Sequence, residues 1–200
     1  TESGRSRQLV HLSSIMNKTL KIDLITTLLL ICLGLILRIA LQDFPNISPV
    51  AALALFAGYL LHSRALAIVV PLTVLVVSDL YFGGYAPAVM ATVYVLLAIP
   101  VVAGRPLRNL HKRHQTHSLR TVSVGGTGLL FAILFFLGTN LAVWGASSYY
   151  TRDWIGLVEC YTAALPFFRQ TLIGDLAFVS VFFGSYAMFR VWINVQSRQA

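Results

Sequence analysis

Charge is what this sequence has least of. Asp, Glu, Lys and Arg make up only 11% of the chain, less than half of the roughly 25% found in a soluble domain. Acidic residues are scarcest, seven against fifteen basic ones. With 57% of residues hydrophobic and a mean hydropathy of +0.77, the chain has too few polar side chains to coat a water-soluble fold, so a membrane protein is expected. The net charge of +8 does not argue for nucleic acid. In a chain this apolar, such an excess belongs to basic cytoplasmic loops.

Cysteine is nearly absent as well. Cys32 and Cys160 stand far apart with no CxxC spacing, which excludes a zinc ribbon or a disulfide framework. Both read as small hydrophobes. No Ser/His/Asp set and no HExxH occurs, so no enzyme activity, metal or cofactor is expected. His111, His114 and His117 recur every three residues, but among lysines and arginines that oppose a bound cation. They read as part of a solvated basic loop. "GGTG" at 125–128 lacks the lysine and the strand–helix setting of a phosphate loop and suits close helix packing. Ala54 and Gly58 form a small-xxx-small pair of the kind that brings helices together.

What the chain does have is long apolar runs. The first, Ile22 to Leu41, has about 20 residues, enough to cross about 30 Å of hydrocarbon. No small-x-small cleavage site follows it, so it reads as a retained anchor. The polar, basic segment 1–21 lies outside the fold, and Met16 is a candidate start. The second run follows Pro49 to about Leu61, with Ser48 as a helix cap. The third runs from Ala65 to about Ser78 and contains Pro71, which suggests a kink. These two are either tilted spans or a re-entrant hairpin. Ala86–Ala103 is the fourth run, followed by a basic polar loop over 104–121. Val122–Gly145 is the fifth and Gln170–Trp192 the sixth, with a tail over 193–200.

The expected architecture is therefore an all-α integral membrane protein, one domain over residues 22–192 with about six transmembrane helices. In that arrangement twelve of the fifteen basic residues face one side, and only Arg38, Arg152 and Arg169 face the other. Lys and Arg bias sets orientation, so both termini are expected in the cytoplasm. A bacterial inner (cell) membrane location is expected.

Polar and aromatic residues gather on the outer side. The first outer loop carries Asp43 and Asn46, and the second carries Ser78, Asp79, Tyr81 and Tyr85. The third, 146–168, carries Tyr149, Tyr150, Arg152, Asp153, Trp154, Glu159 and Tyr161. It is too polar to span and too apolar for a free loop. Short helical pieces lying on the outer surface as a lid are expected, with Trp154, Leu157 and Tyr161 inward. Asn140 and Trp144 share one helix face, as do Thr171 and Asp175. Asn140 and Asp175 lie inside apolar runs, where polar groups usually face a bundle interior or a wet cavity. The candidate substrate-binding set is Asn46, Asp79, Tyr81, Asn140, Trp144, Tyr149, Tyr150 and Asp175. Arg38 or Arg169 is a possible structural partner for Asp175.

The stretches "NISPVAALALFAGYL", "PLTVLVVSDLYFGGY" and "TNLAVWGASSYYTRDWIGLVECYTAALPFF" resemble an uncharacterised bacterial transport protein family, itself similar to the S components of energy-coupling-factor (ECF) vitamin transporters. The resemblance covers roughly Phe44 to Asp175. It implies a helical bundle whose loops close over a vitamin-sized ligand. It also implies uptake from outside, with an ECF-type energising module as partner or alone. The first span, "LITTLLLICLGLILRIA", departs from the S components in lacking alanines four apart, a docking motif on that helix. The other function class is a non-transporting structural or accessory subunit of a larger membrane complex. Under either reading the partners are the lipid bilayer and, for transport, a small-molecule substrate, with no nucleic acid.

Overall fold

A computed structural model describes residues 2–84, 86–114 and 116–199. All of its regular structure among these residues is helical. The helices are α1 (Glu2–Ala40), α2 (Val50–Leu60), α3 (Arg64–Phe82), α4 (Pro87–Ala98), α5 (Pro100–Arg113), α6 (His117–Ala146) and α7 (Trp154–Gln199). Five stretches are long and apolar enough to cross a membrane: Met16–Ala40, Arg64–Phe82, Pro87–Arg113, Ser118–Ala146 and Trp154–Ser197. That is the build of a multi-pass membrane protein.

The second expected span differs. α2 has 11 residues, about 16 Å of helix, roughly half the thickness of a bilayer core. It is apolar on every side, and a helix of that kind belongs inside a bundle. Residues 50–59 are all buried, enclosed by α1, α3, α5 and α7. The chain reaches its start through an irregular segment, 41–49. Asn46 there adopts a left-handed backbone (φ 64°), which asparagine tolerates better than most residues. α3, by contrast, is a full-length helix with Pro71 inside it. Of the two segments in question, one is long and apolar enough to span and the other is a buried half-helix.

Two glycines make the central crossing. A Cβ on Gly104 would lie 2.2 Å from the Gly58 carbonyl carbon, and one on Gly58 would lie 2.1 Å from the Val101 oxygen. The backbones of α2 and α5 therefore touch. Phe56 and Tyr59 project from α2 onto Phe183 and Tyr186 of α7 with edge-on ring contacts.

The structure extends several helices beyond their expected ends. The expected basic loop 104–121 is helical through Arg113, and α4 and α5 meet at Ile99–Pro100, so that Pro87–Arg113 forms one candidate span. His111, Lys112 and Arg113 fall in the last turn of α5, where cations offset the helix dipole. Helix also extends through the expected terminal tails, back to Glu2 and on to Gln199. The expected surface pieces over 154–168 are instead the first turns of α7, a 46-residue helix. Its inward stripe runs through Gly156, Cys160, Gly174, Asp175, Val179 and Phe182. Leu157 and Tyr161 border that stripe, but Trp154 is 75% exposed. The i, i+3, i+7 register was therefore misplaced by Trp154. Asp153 caps the helix just before it, which leaves Trp154 as the first residue and outside the packed face.

Candidate functional site

The turn between α2 and α3 is held from α1. Asp23, 4% exposed, accepts hydrogen bonds at Oδ2 from the backbone N–H groups of His62 and Ser63, both at 2.9 Å, and its Oδ1 lies 3.2 Å from His62 Nδ1. The carbonyls left open at the end of α2 find cations: Arg105 donates to the His62 oxygen and Arg108 to the Leu60 oxygen. Tyr59 OH meets His111 Nδ1 at 3.2 Å, and His111 Nε2 meets Ser123 Oγ at 2.9 Å. His111 is thus a buried structural link between α2, α5 and α6, a correction to the expected solvated loop. His114 is exposed, and the His117 side chain lies outside the described residues.

At the other end of the bundle, Asp79 is 5% exposed. Its Oδ1 accepts from Arg38 Nη2 at 2.7 Å and its Oδ2 from Tyr94 OH at 2.9 Å. The carboxylate joins α1, α3 and α4. Arg38 therefore pairs with Asp79 rather than with Asp175.

The connection between α6 and α7 is a clasp. Arg152 donates to the carbonyls of Trp144 and Ser147 at the end of α6, and its guanidinium lies 5.7 Å from the centre of the Trp144 ring. Trp144 Nε1 donates to the Thr151 oxygen at 2.9 Å. Asp153 caps α7, accepting from Gly156 N–H at 2.8 Å and from the Thr151 hydroxyl at 2.7 Å. Those bonds hold its carboxyl below the usual aspartate value. Asn140 lies nearby on α6, its Nδ2 donating to the Phe136 oxygen, while Cys160 Sγ donates to the Asn140 backbone oxygen at 3.5 Å.

Asp175 is set apart from all of these. It is 5% exposed, and no hydrogen bond or ion pair to it is found among the described residues. It lines a small cavity with Ala51, Ala52 and Leu55 of α2, Gly128 and Phe131 of α6, and Val179. About 10 Å³ there is open to the centre of a water molecule, the space that one water needs. The other wall is the N-terminus of α2. Leu53 N–H bonds the Pro49 oxygen at 2.8 Å and Val50 N–H reaches Ser48 Oγ at 3.4 Å. The amides of Ala51 and Ala52 have no acceptor among the described residues, as the opening turn of a helix leaves them. Ile47 closes this region from the 41–49 segment. A Cβ on Gly174 would sit 3.1 Å from Ile47 Cγ2.

The predicted residues thus separate into groups. Asp175 stands at the α2 cavity. Asp79 is held by Arg38 and Tyr94. Trp144 and Asn140 lie at the α6–α7 clasp, with Tyr149 beside it and 86% exposed and Tyr150 partly buried. Tyr81 and Asn46 are exposed on their own segments. Tyr85 lies outside the described residues. Asp79, Asn140 and Trp144 are not among the residues lining the Asp175 cavity. Sequence reasoning missed Asp23, Tyr94 and the free amides of α2. Asp23 carried a signal, a carboxylate one residue into an apolar run. Tyr94 and the amides carried none.

Comparison with curated proteins returns no match, and comparison with solved structures returns none either. A family model does match, over residues 18–197. It takes in all five candidate spans almost entire, together with the half-helix and the Asp175 cavity. The chain belongs to that family, the family of unknown function DUF6580.

Proposed function

We propose that this protein is a substrate-binding membrane component for uptake of a small molecule, of the size of a vitamin or similar micronutrient. It acts with an energising module of the ECF type or alone, in a bacterial inner membrane with both termini cytoplasmic. One observation carries the reading: the first turn of a buried half-helix, α2, shares a small cavity inside the bundle with an unpartnered carboxylate, Asp175. Irregular backbone and helix ends at membrane depth are tolerated where they line a cavity, and transporters build binding sites from such interrupted helices. A buried carboxylate without a partner is costly for a purely structural scaffold.

The donor set also limits the ligand. In this reading the open amides of the first turn of α2 donate and the Asp175 carboxylate accepts, so the group that enters both accepts and donates hydrogen bonds. A hydroxyl or a carboxamide on a neutral polar molecule does so. A metal ion would meet the positive end of the helix dipole. As it stands the cavity has room for no more than one water. Substrate entry requires movement of the 41–49 segment, whose Ile47 rests on Gly174 beside the carboxylate. The outer tyrosines Tyr81, Tyr149 and Tyr150, with Asn46, line the approach in this reading. Asp79, Asn140 and Trp144 support its walls.

Mass spectrometry of small molecules released from the purified full chain tests the proposal. A stoichiometric polar molecule retained by the wild type and lost in Asp175→Leu supports it. Absence of any retained molecule, together with co-purification of stoichiometric membrane subunits, favours the structural-subunit alternative.

A further inference from the structure

A second feature lies at the opposite end of the bundle from Asp79. α5 and α6 diverge there and leave an open groove of about 590 Å³. Ala103, Pro106, Leu107 and Leu110 form one wall, and Gly126, Thr127 and Leu130 with Ser123 form the other. The hydroxyls do not make it polar. Ser123 Oγ donates to the Arg120 oxygen and Thr127 Oγ1 to the Ser123 oxygen, so both are satisfied along their own helix. Gly126 keeps the groove open, because a Cβ there would meet nothing within 4 Å.

The mouth of this groove is strongly positive. Arg113 lies three residues beyond Leu110 on α5, and Arg120 three before Ser123 on α6, so both continue the groove-lining faces. Lys112 and Arg113 are exposed, with no carboxylate partner among the described residues. Arg120 spends one nitrogen, Nη2, on the His111 oxygen, while its buried Nε has no acceptor. The carboxylate at this end, Asp23, is occupied by the His62–Ser63 turn. The other acidic side chains described sit on the far side or inside the bundle.

We infer that the α5–α6 groove is a binding site for one anionic phospholipid, its acyl chain along the apolar walls and its phosphate on Arg113 and Arg120, with Lys112 beside them. Basic pockets between helices at a membrane face recognise anionic head groups in this way. Each part of the site answers a part of the lipid. The groove walls are largely apolar, and the uncompensated charge lies at one end, beyond Leu110 and Ser123. Occupancy would join α5 to α6 through the lipid, beside the Tyr59–His111–Ser123 link. The inference is independent of what Asp175 binds.

The test is thermal unfolding of the full chain in nonionic detergent, with added phosphatidylglycerol, phosphatidylcholine or inorganic phosphate. Native mass spectrometry of the same samples counts bound lipid. Phosphatidylglycerol at saturating concentration should raise the midpoint by about 5 °C with one lipid retained. The other two additions should not. Gly126→Leu fills the groove without touching a charge, and the double variant Lys112→Gln/Arg113→Gln removes charge without touching the groove. Both should lose the shift while unfolding normally without lipid. Equal shifts from phosphatidylcholine, a shift from phosphate alone, or an undiminished effect in Gly126→Leu would each overturn the inference. So would undiminished lipid binding in the double variant.

Discussion

Arg38 Nη2 lies 2.7 Å from Asp79 Oδ1, a contact that joins α1 to α3 with both groups largely shielded from water. Removing one partner of a buried pair strands the other, at a cost of about 3–5 kcal/mol. Replacing both by apolar groups of similar volume avoids that penalty. Asp79→Ala and Arg38→Met should therefore each lower the midpoint of thermal unfolding in detergent strongly. The double variant Arg38→Met/Asp79→Leu should recover most of the loss. Additive single effects would show that the pair is not the source of the cost.

The glycines of this chain are not equivalent. Gly104→Ala places a methyl group 2.2 Å from the backbone of Gly58, and neither backbone can yield while α2 stays buried between its neighbours. Loss of the folded, monodisperse protein is expected on size exclusion. Gly125→Ala meets nothing within 4 Å and should stabilise α6 by roughly 0.5–1 kcal/mol.

These two sites also show where the sequence was readable. Hydropathy alone placed the apolar helices, because run length against bilayer thickness is a strong constraint. The run after Pro49 was legible as a short helix ending near Leu61, but tilted span and re-entrant hairpin stayed open, since an apolar helix of 11 residues carries no mark of the helices that enclose it. Gly58 was legible as a packing residue, but its partner Gly104 was hidden in what looked like a polar loop. The arginines that made that stretch look like a loop are there to meet the carbonyls at the end of α2. Asp175 stood out because it interrupts an apolar run. Its neighbours did not, since Ala51 and Ala52 are apolar residues with nothing in the sequence to mark them.

Asp153 gives a pH dependence with a definite sign. Hydrogen bonds from Gly156 N–H and the Thr151 hydroxyl hold its carboxyl below the ordinary aspartate value of 3.8. A depressed value in the folded state means that the ionised form contributes stability. That contribution is complete above the ordinary value and fades as pH falls through the depressed one. The wild type should exceed Asp153→Ala in thermal stability at neutral pH, and the two should converge in strong acid. A gap that widens toward acid would contradict the sign.

The proposed orientation rests on the twelve-to-three distribution of basic residues that six crossings would give. In a background with Cys32 and Cys160 replaced, Arg113→Cys should react with a membrane-impermeant thiol reagent only after the cells are opened. Ser148→Cys should react in intact cells. The reverse pattern would invert the proposed direction of transport.

Asp175 separates a working site from a structural one through the sign of a stability change. Asp175 is 5% exposed and has no hydrogen-bond partner among the described residues, and a buried polar group without a partner costs about 1–3 kcal/mol. A structural role predicts that substitution destabilises. A site kept ready for a ligand predicts the opposite, because residues held for function often cost stability. Asp175→Leu fits the apolar surroundings of Leu55, Phe131 and Val179 and removes the unpaired group. It should raise the unfolding midpoint by several degrees, about 2–4 °C for each kcal/mol in a chain of this length. The same variant should lose uptake of whatever molecule the wild type retains. Asp175→Asn keeps the shape and a polar head but not the full acceptor strength, so it should fall between the two in both measurements. Lower stability together with unchanged uptake in Asp175→Leu would make the carboxylate a scaffold group and remove it from the site.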